Sequence, residues 1–195
     1  IVLGSHGRGF WIMHDVAPLR DAASMNMNQV KLFKPANPIR GIYSANIQYY
    51  LPKEADNVTI EIMDANGSLI ESYTGTKSEG RRSRVATGKG LNDFNWNLRY
   101  PGATTFEGMI IWSGRPQSGP LAPLGDYQVK LTVDGVSQTS TFTVEIDPNL
   151  EGITKDDIQK QFDLAVKIRD KTSAANEAVI QIRSIRKQAQ ELMNS

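Results

Sequence analysis

The 195-residue chain carries two histidines, His6 and His14, and no cysteine. Histidine is the side chain whose ordinary pKa suits proton transfer near neutral pH, and thiolates are the usual soft ligands and nucleophiles. Triad or His-rich metal chemistry must therefore use His6 or His14, while disulfides, thiolate zinc sites and iron–sulfur clusters are excluded. His6, His14 and Asp15 are candidate metal ligands, yet nothing else in the sequence groups with them to complete a site and its supporting shell. Gly4-Ser5-His6-Gly7-Arg8-Gly9 has the look of a phosphate cradle. Phe10-Trp11-Ile12-Met13 after it reads as a strand, so no helix N-terminus follows to hold a phosphate, and a strand-to-strand turn is expected. Asp64, Asp93, Glu107, Asp126, Asp134 and Asp147 could supply the carboxylate pair of a glycosidase, which needs two acids about 5–10 Å apart in a cleft. Most of them sit at turns or strand ends, Asp134 before Gly135 and Asp147 before Pro148, where Asp bonds its own backbone. Asp64 and Asn66 lack the acid spacing of a calcium loop. The reading assigns no catalytic residue, no metal and no cofactor.

Aromatic residues are the remaining chemistry. Trp96, Trp112, Tyr49, Tyr50 and Tyr100 could stack on sugar rings. Trp96 shares a strand face with Phe94 and Leu98, which suits a core tryptophan. Trp112 adjoins a Gly/Pro-rich loop with Arg115 and Gln117 to bind hydroxyls, and these three residues form the candidate carbohydrate site. Arg81, Arg82 and Arg84 lie in a polar loop without interleaved aromatics and read as solvated charge. With 22 Lys plus Arg against 21 Asp plus Glu, the net charge of +1 offers no strong field for nucleic acid or an anionic membrane. No stretch approaches the roughly 18 apolar residues of a membrane helix.

These side chains must be positioned by two kinds of structure. All 16 Gly and 9 Pro fall in residues 1–153, and none in 154–195. From Gly41 to Ile146 the apolar period is two, broken by turn residues at sandwich spacing. Tyr43 to Leu51, Val58 to Ile62, Leu69 to Thr74, Phe94 to Tyr100, Met109 to Trp112, Tyr127 to Val133 and Phe142 to Ile146 give seven strands, the number of an immunoglobulin-like β-sandwich. Asn66-Gly67 is expected to supply two positive-φ residues of a tight hairpin, and Asp134-Gly135 a second hairpin. Thr154 with Asp156 and Asp157 starts a helix. Its thin, Ala-rich stripe of Ile158, Phe162, Ala165, Ile168 or Arg169, Thr172, Ala175, Val179, Ile182 and Ile185 suits docking along a partner, including a coiled coil or self-association. Thr172, Ser173 and Asn176 lower helix propensity, so a bend or helical hairpin is open there. The expected organisation is a remnant of another domain with a linker over 1–40, a sandwich over 41–148 and the helix over 149–195. The start at Ile1-Val2-Leu3 reads as mid-strand, as in a piece of a longer protein.

Three stretches carry a resemblance. Gly4 to Met13 with Asp15 and Pro18-Leu19-Arg20 resembles the end of the last blade in bacterial exported β-propeller proteins of the BNR-repeat, sortilin-like type, often called glycosyl hydrolases. Gly90-Leu91-Asn92, Phe94-Asn95-Trp96-Asn97-Leu98-Arg99-Tyr100-Pro101 and Pro123-Leu124-Gly125-Asp126-Tyr127-Gln128-Val129 are similar to the Ig-like domain that follows the propeller, and to the Ig-like domain of flagellar hook-capping proteins. Asp147-Pro148, Asn176-Glu177-Ala178 and Ile182-Arg183 extend the resemblance into the helix. An acid is usual in that family where His14 stands, and the aspartate box of sialidase propellers is absent from this stretch. The resemblance implies a noncatalytic accessory module, extracytoplasmic, whose partner is the propeller or another protein reached through the helix. The alternative is a carbohydrate-binding module built on Trp112.

Overall fold

The structure is a computed structural model that describes residues 2–7, 9–12, 16–78, 84–111, 114 and 116–194. Its chain forms two compact units, Ile1–Asn97 with Gly125–Glu145, and Leu98–Leu124 with Ile146–Ser195.

The first unit is an immunoglobulin-like β-sandwich. One sheet is built from β4 (Ala45–Leu51), β7 (Gly90–Trp96) and the short β3 (Lys31–Leu32), in the order β3-β4-β7. The other runs β11-β10-β5-β6, from β5 (Asn57–Asp64), β6 (Leu69–Thr76), β10 (Gly125–Val133) and β11 (Val136–Val144). Period-two alternation sends one face of each strand inward: Ala45, Ile47, Tyr49 and Leu51 from β4 meet Val58, Ile60 and Ile62 from β5 and Val129 and Leu131 from β10, all buried. Trp96 is the fully buried centre, with its ring 5.5 Å from Tyr127 and 6.2 Å from Phe142. Before the sandwich, β1 (Val2–Ser5) and β2 (Gly9–Ile12) pair as the hairpin expected around His6-Gly7, and α1 (Ala17–Ala22) follows.

Four features depart from the sequence reading. The Asn66-Gly67 turn has positive φ at Gly67 alone (82°), because Asp64 Oδ1 accepts from both Asn66 N and Ser68 N and sets a three-residue loop with a glycine bulge. Asp134-Gly135 does have both residues at positive φ, 46° and 89°. The run from Phe94 to Tyr100 is not one strand. Leu98 takes φ 57°, ending β7 at Trp96 and starting a separate β8 (Arg99–Pro101) that pairs with β9 (Ser118–Leu121). Met109–Ile111 form no strand, and Trp112, the end of that expected strand, lies outside the described residues. Residues 31–40, expected as linker, belong to the sandwich instead. The Gln138 side chain on β11 accepts from Leu32 N (2.7 Å) and donates to Val30 O (2.7 Å), standing in for a ladder at the sheet edge. Ile39 then forms a parallel bridge with Glu145, while Asn37 donates to the Glu145 carboxylate and accepts from Thr143 N.

In the second unit β8 and β9 lie beneath α2 (Lys155–Met193), a single unbroken helix of 39 residues rather than a hairpin. Thr154 caps it in a full capping box with Asp157. The Thr154 hydroxyl and amide hold the Asp157 carboxyl below its ordinary range.

Candidate interaction surface on the C-terminal helix

Two of the residues that lower helix propensity, Ser173 and Asn176, fasten α2 to the 98–124 segment. Thr104 is gripped at three atoms by one face of the helix. Its amide donates to Ser173 Oγ (3.0 Å), its carbonyl accepts from Asn176 Nδ2 (2.6 Å), and its hydroxyl donates to Glu177 Oε1 (3.1 Å). Asn176 is 8% exposed, so a side chain disfavoured in a bare helix is repaid by a buried hydrogen bond. Thr172 turns its hydroxyl onto Ile168 O within the helix. On either side of this clasp, Phe162 packs on Tyr100 with centroids 4.8 Å apart, and Arg183 donates to Glu107 O while its guanidinium lies 4.6 Å from the Phe106 ring. Beneath them Gly102 and Gly119 let two backbones touch, since a Cβ on Gly119 would strike Tyr100 O and Pro101 O, and one on Gly102 would strike Gln117 O.

The single stripe expected from the sequence resolves into two. Ile158, Phe162, Ala165, Arg169, Thr172, Asn176 and Val179 are buried or half-buried, in alternating steps of four and three. About a third of a turn around the helix, at ~100° per residue, runs a second series: Leu164, Ile168, Lys171, Ala175, Ala178, Ile182, Ile185, Ala189 and Leu192. It repeats the same four-three steps over four heptads, and every member is exposed, Leu164 at 59%, Ile168 at 58%, Ile182 at 65% and Ile185 at 66%. A sustained 3.5-residue period is the signature of a coiled-coil seam.

The other candidate residues are placed as follows. Trp112 and Arg115 of the carbohydrate site lie outside the described residues, as do His14, Asp15, Arg81 and Arg82, while Gln117 is exposed at a turn before β9. Tyr49 is buried with its hydroxyl on Ala86 O; burial pushes its pKa up, opposed by that hydrogen bond and aided by Asp93. Tyr50 donates to Met27 O, and Tyr100 is the partner of Phe162, so these rings serve packing. Arg84 is not simply solvated charge, because its guanidinium stacks 4.4 Å from the Tyr73 ring. His6 is exposed at the β1–β2 turn. Among the candidate acids, Asp64 accepts from Asn66 N and Ser68 N, Asp134 from Asp56 N and Asn57 N, and Asp147 from Asn149 N. Asp126 accepts from the Thr143 hydroxyl and Asp93 from Asn95 Nδ2. Among the described residues no three His, Asp or Glu converge on a metal position, and no helix is long and apolar enough to cross a membrane.

No family model matches the chain, and no curated protein matches it. Among solved structures, the crystal structure of CopC from Methylosinus trichosporium OB3b is similar at 17% identity and a TM-score of 0.34, over 63% of this chain and 99% of that one. A likeness of that degree transfers neither a site nor an activity to this chain.

Proposed function

We propose that the chain is a noncatalytic accessory module, in which the Ig-like unit is a support and α2 offers an apolar face to a protein partner. The observation that carries this reading is the exposed heptad series from Leu164 to Leu192, on a helix whose other face is already engaged by residues 98–124. Apolar residues exposed in a continuous series, rather than singly, mark contact surfaces. The β1–β2 hairpin agrees with it: Val2, Leu3, Phe10 and Ile12 are all exposed, and a lone two-stranded ribbon is marginal in water without a body to lie against. The resemblance to exported BNR-repeat propeller proteins supplies the setting, an accessory region acting outside the cytoplasm beside a propeller.

Hydroxyl-radical footprinting of the intact gene product tests the reading. Leu164, Ile168, Ile182 and Ile185 are expected to oxidise several-fold more slowly there than in this chain at high dilution. Equal rates in the two samples would remove the support for a contact face.

A further inference from the structure

The exposed series on α2 is self-complementary when read in opposite directions. In heptad terms Ile168, Ala175, Ile182 and Ala189 occupy a, and Leu164, Lys171, Ala178, Ile185 and Leu192 occupy d. Antiparallel pairing sets a against d of the facing helix. With the two-fold axis at the level of residue 180, Ala175 meets Ile185 of the second copy, Ala178 meets Ile182, Lys171 meets Ala189, and Ile168 meets Leu192. Every alanine of the seam then faces a longer side chain, which is the large-against-small interdigitation a packed seam needs. Lys171, opposite the small Ala189, can carry its ammonium out to water along its stem. The flanking e and g positions bring Gln181 beside Gln181, Ala174 beside Gln188 and Thr172 beside Arg186, with no like charges opposed. The parallel in-register alternative stacks Lys171 on Lys171 inside the seam and leaves three Ala–Ala layers, at 175, 178 and 189, as gaps. We propose that α2 pairs with α2 of a second copy of this chain as an antiparallel two-stranded coiled coil centred at residue 180.

This inference rests on the proposed function and names its partner. The 25 residues from Ile168 to Leu192 give a seam of about 36 Å at ~1.5 Å per residue step, with Ile168, Ile182, Ile185 and Leu192 and their symmetry mates as its large apolar members.

Because the chain has no cysteine, single spin labels at Gln181→Cys and Gln188→Cys report uniquely on the pair. Both positions are exposed and flank the seam without entering it. Sedimentation equilibrium of the whole chain is expected to give a dimer. The two Gln181 labels then lie within about 3 Å of the same axial height, whereas those at Gln188 are offset by about 24 Å, from sixteen residues of ~1.5 Å rise. Ile182→Glu with Ile185→Glu, at exposed positions that leave the folded chain intact, is expected to weaken the dimer by roughly a hundredfold or more, since four isoleucines per dimer lose their burial. Equal distances at the two labels would mean a parallel pair and overturn the proposal. A dimer indifferent to Ile182→Glu/Ile185→Glu would also overturn it. A monomer throughout, up to about 100 μM where a pair of even modest affinity would form, removes the second copy as the partner. Slowed footprinting of the same residues in that case leaves the contact-face reading standing, and unslowed footprinting ends both.

Discussion

Asn176 is the most informative position in the second unit, because the helix and the docking pull on it in opposite directions. Asn176→Ala removes the donor to Thr104 O (2.6 Å) and leaves that carbonyl unpaired under a helix whose covering residue was 8% exposed. An unsatisfied buried polar group costs about 1–3 kcal/mol. Replacing Asn by Ala returns about 0.5–0.7 kcal/mol of helix propensity. The net favours opening of the 98–108 segment by about 0.3–2.5 kcal/mol, roughly 1.7- to seventyfold in its opening equilibrium. Native-state hydrogen exchange reads this at the Thr104 amide, bonded to Ser173 Oγ, and at Ala103, whose amide is bonded to Pro116 O. Both should exchange faster, while the ellipticity of α2 stays level or rises. Asn176→Asp keeps the shape but turns a carboxylate toward the same carbonyl, so it should exceed the alanine effect. If Thr104 and Ala103 keep their protection in both variants, the clasp does not hold the segment and the reasoning is wrong.

Two further outcomes are expected. The Thr154 hydrogen bonds lower the Asp157 pKa beneath its ordinary value of 3.8, so the capping contribution is complete above that value and is lost as pH falls through the depressed folded value. Protection factors of the first-turn amides of α2, with the intrinsic pH dependence of exchange divided out, should fall below about pH 4, and Asp157→Ala should abolish that fall; the same fall surviving in the variant would contradict the linkage. Gly119→Ala must push backbone apart at Tyr100 and Pro101 and should destabilise the second unit by about 1–3 kcal/mol or more, whereas Gly88→Ala, with open space at its Cβ and no positive φ, should stay within about 1 kcal/mol of the parent. Comparable thermal melts for the two alanine variants would show that β8 and β9 tolerate separation.

Much of the sandwich could be read directly from the chain, because a half-buried strand imposes period two on its own residues whatever it packs against. The alternation of Ala45, Ile47, Tyr49 and Leu51, the Asp134-Gly135 turn and the inward Trp96 are all of this kind. The residue 31–40 edge was not legible, since its pairing runs through the Gln138 and Asn37 amides rather than through an apolar pattern. The break at Leu98 was hidden for a related reason. Period two continues through it, and only the backbone turns.

The helix shows the same division. Capping chemistry at Thr154 and the absence of Gly or Pro after residue 153 determine where α2 starts and that nothing in the backbone need stop it. Local propensity cannot decide whether Thr172, Ser173 and Asn176 bend the chain, because the compensation at Ser173 and Asn176 comes from Thr104, about seventy residues earlier in sequence. Nor can sequence spacing separate two apolar series that share one helix and one period, since both repeat every three and four residues. Tertiary structure separates them by burial: Ile158 to Val179 on one side are buried or half-buried, while Leu164 to Leu192 on the other stand in water.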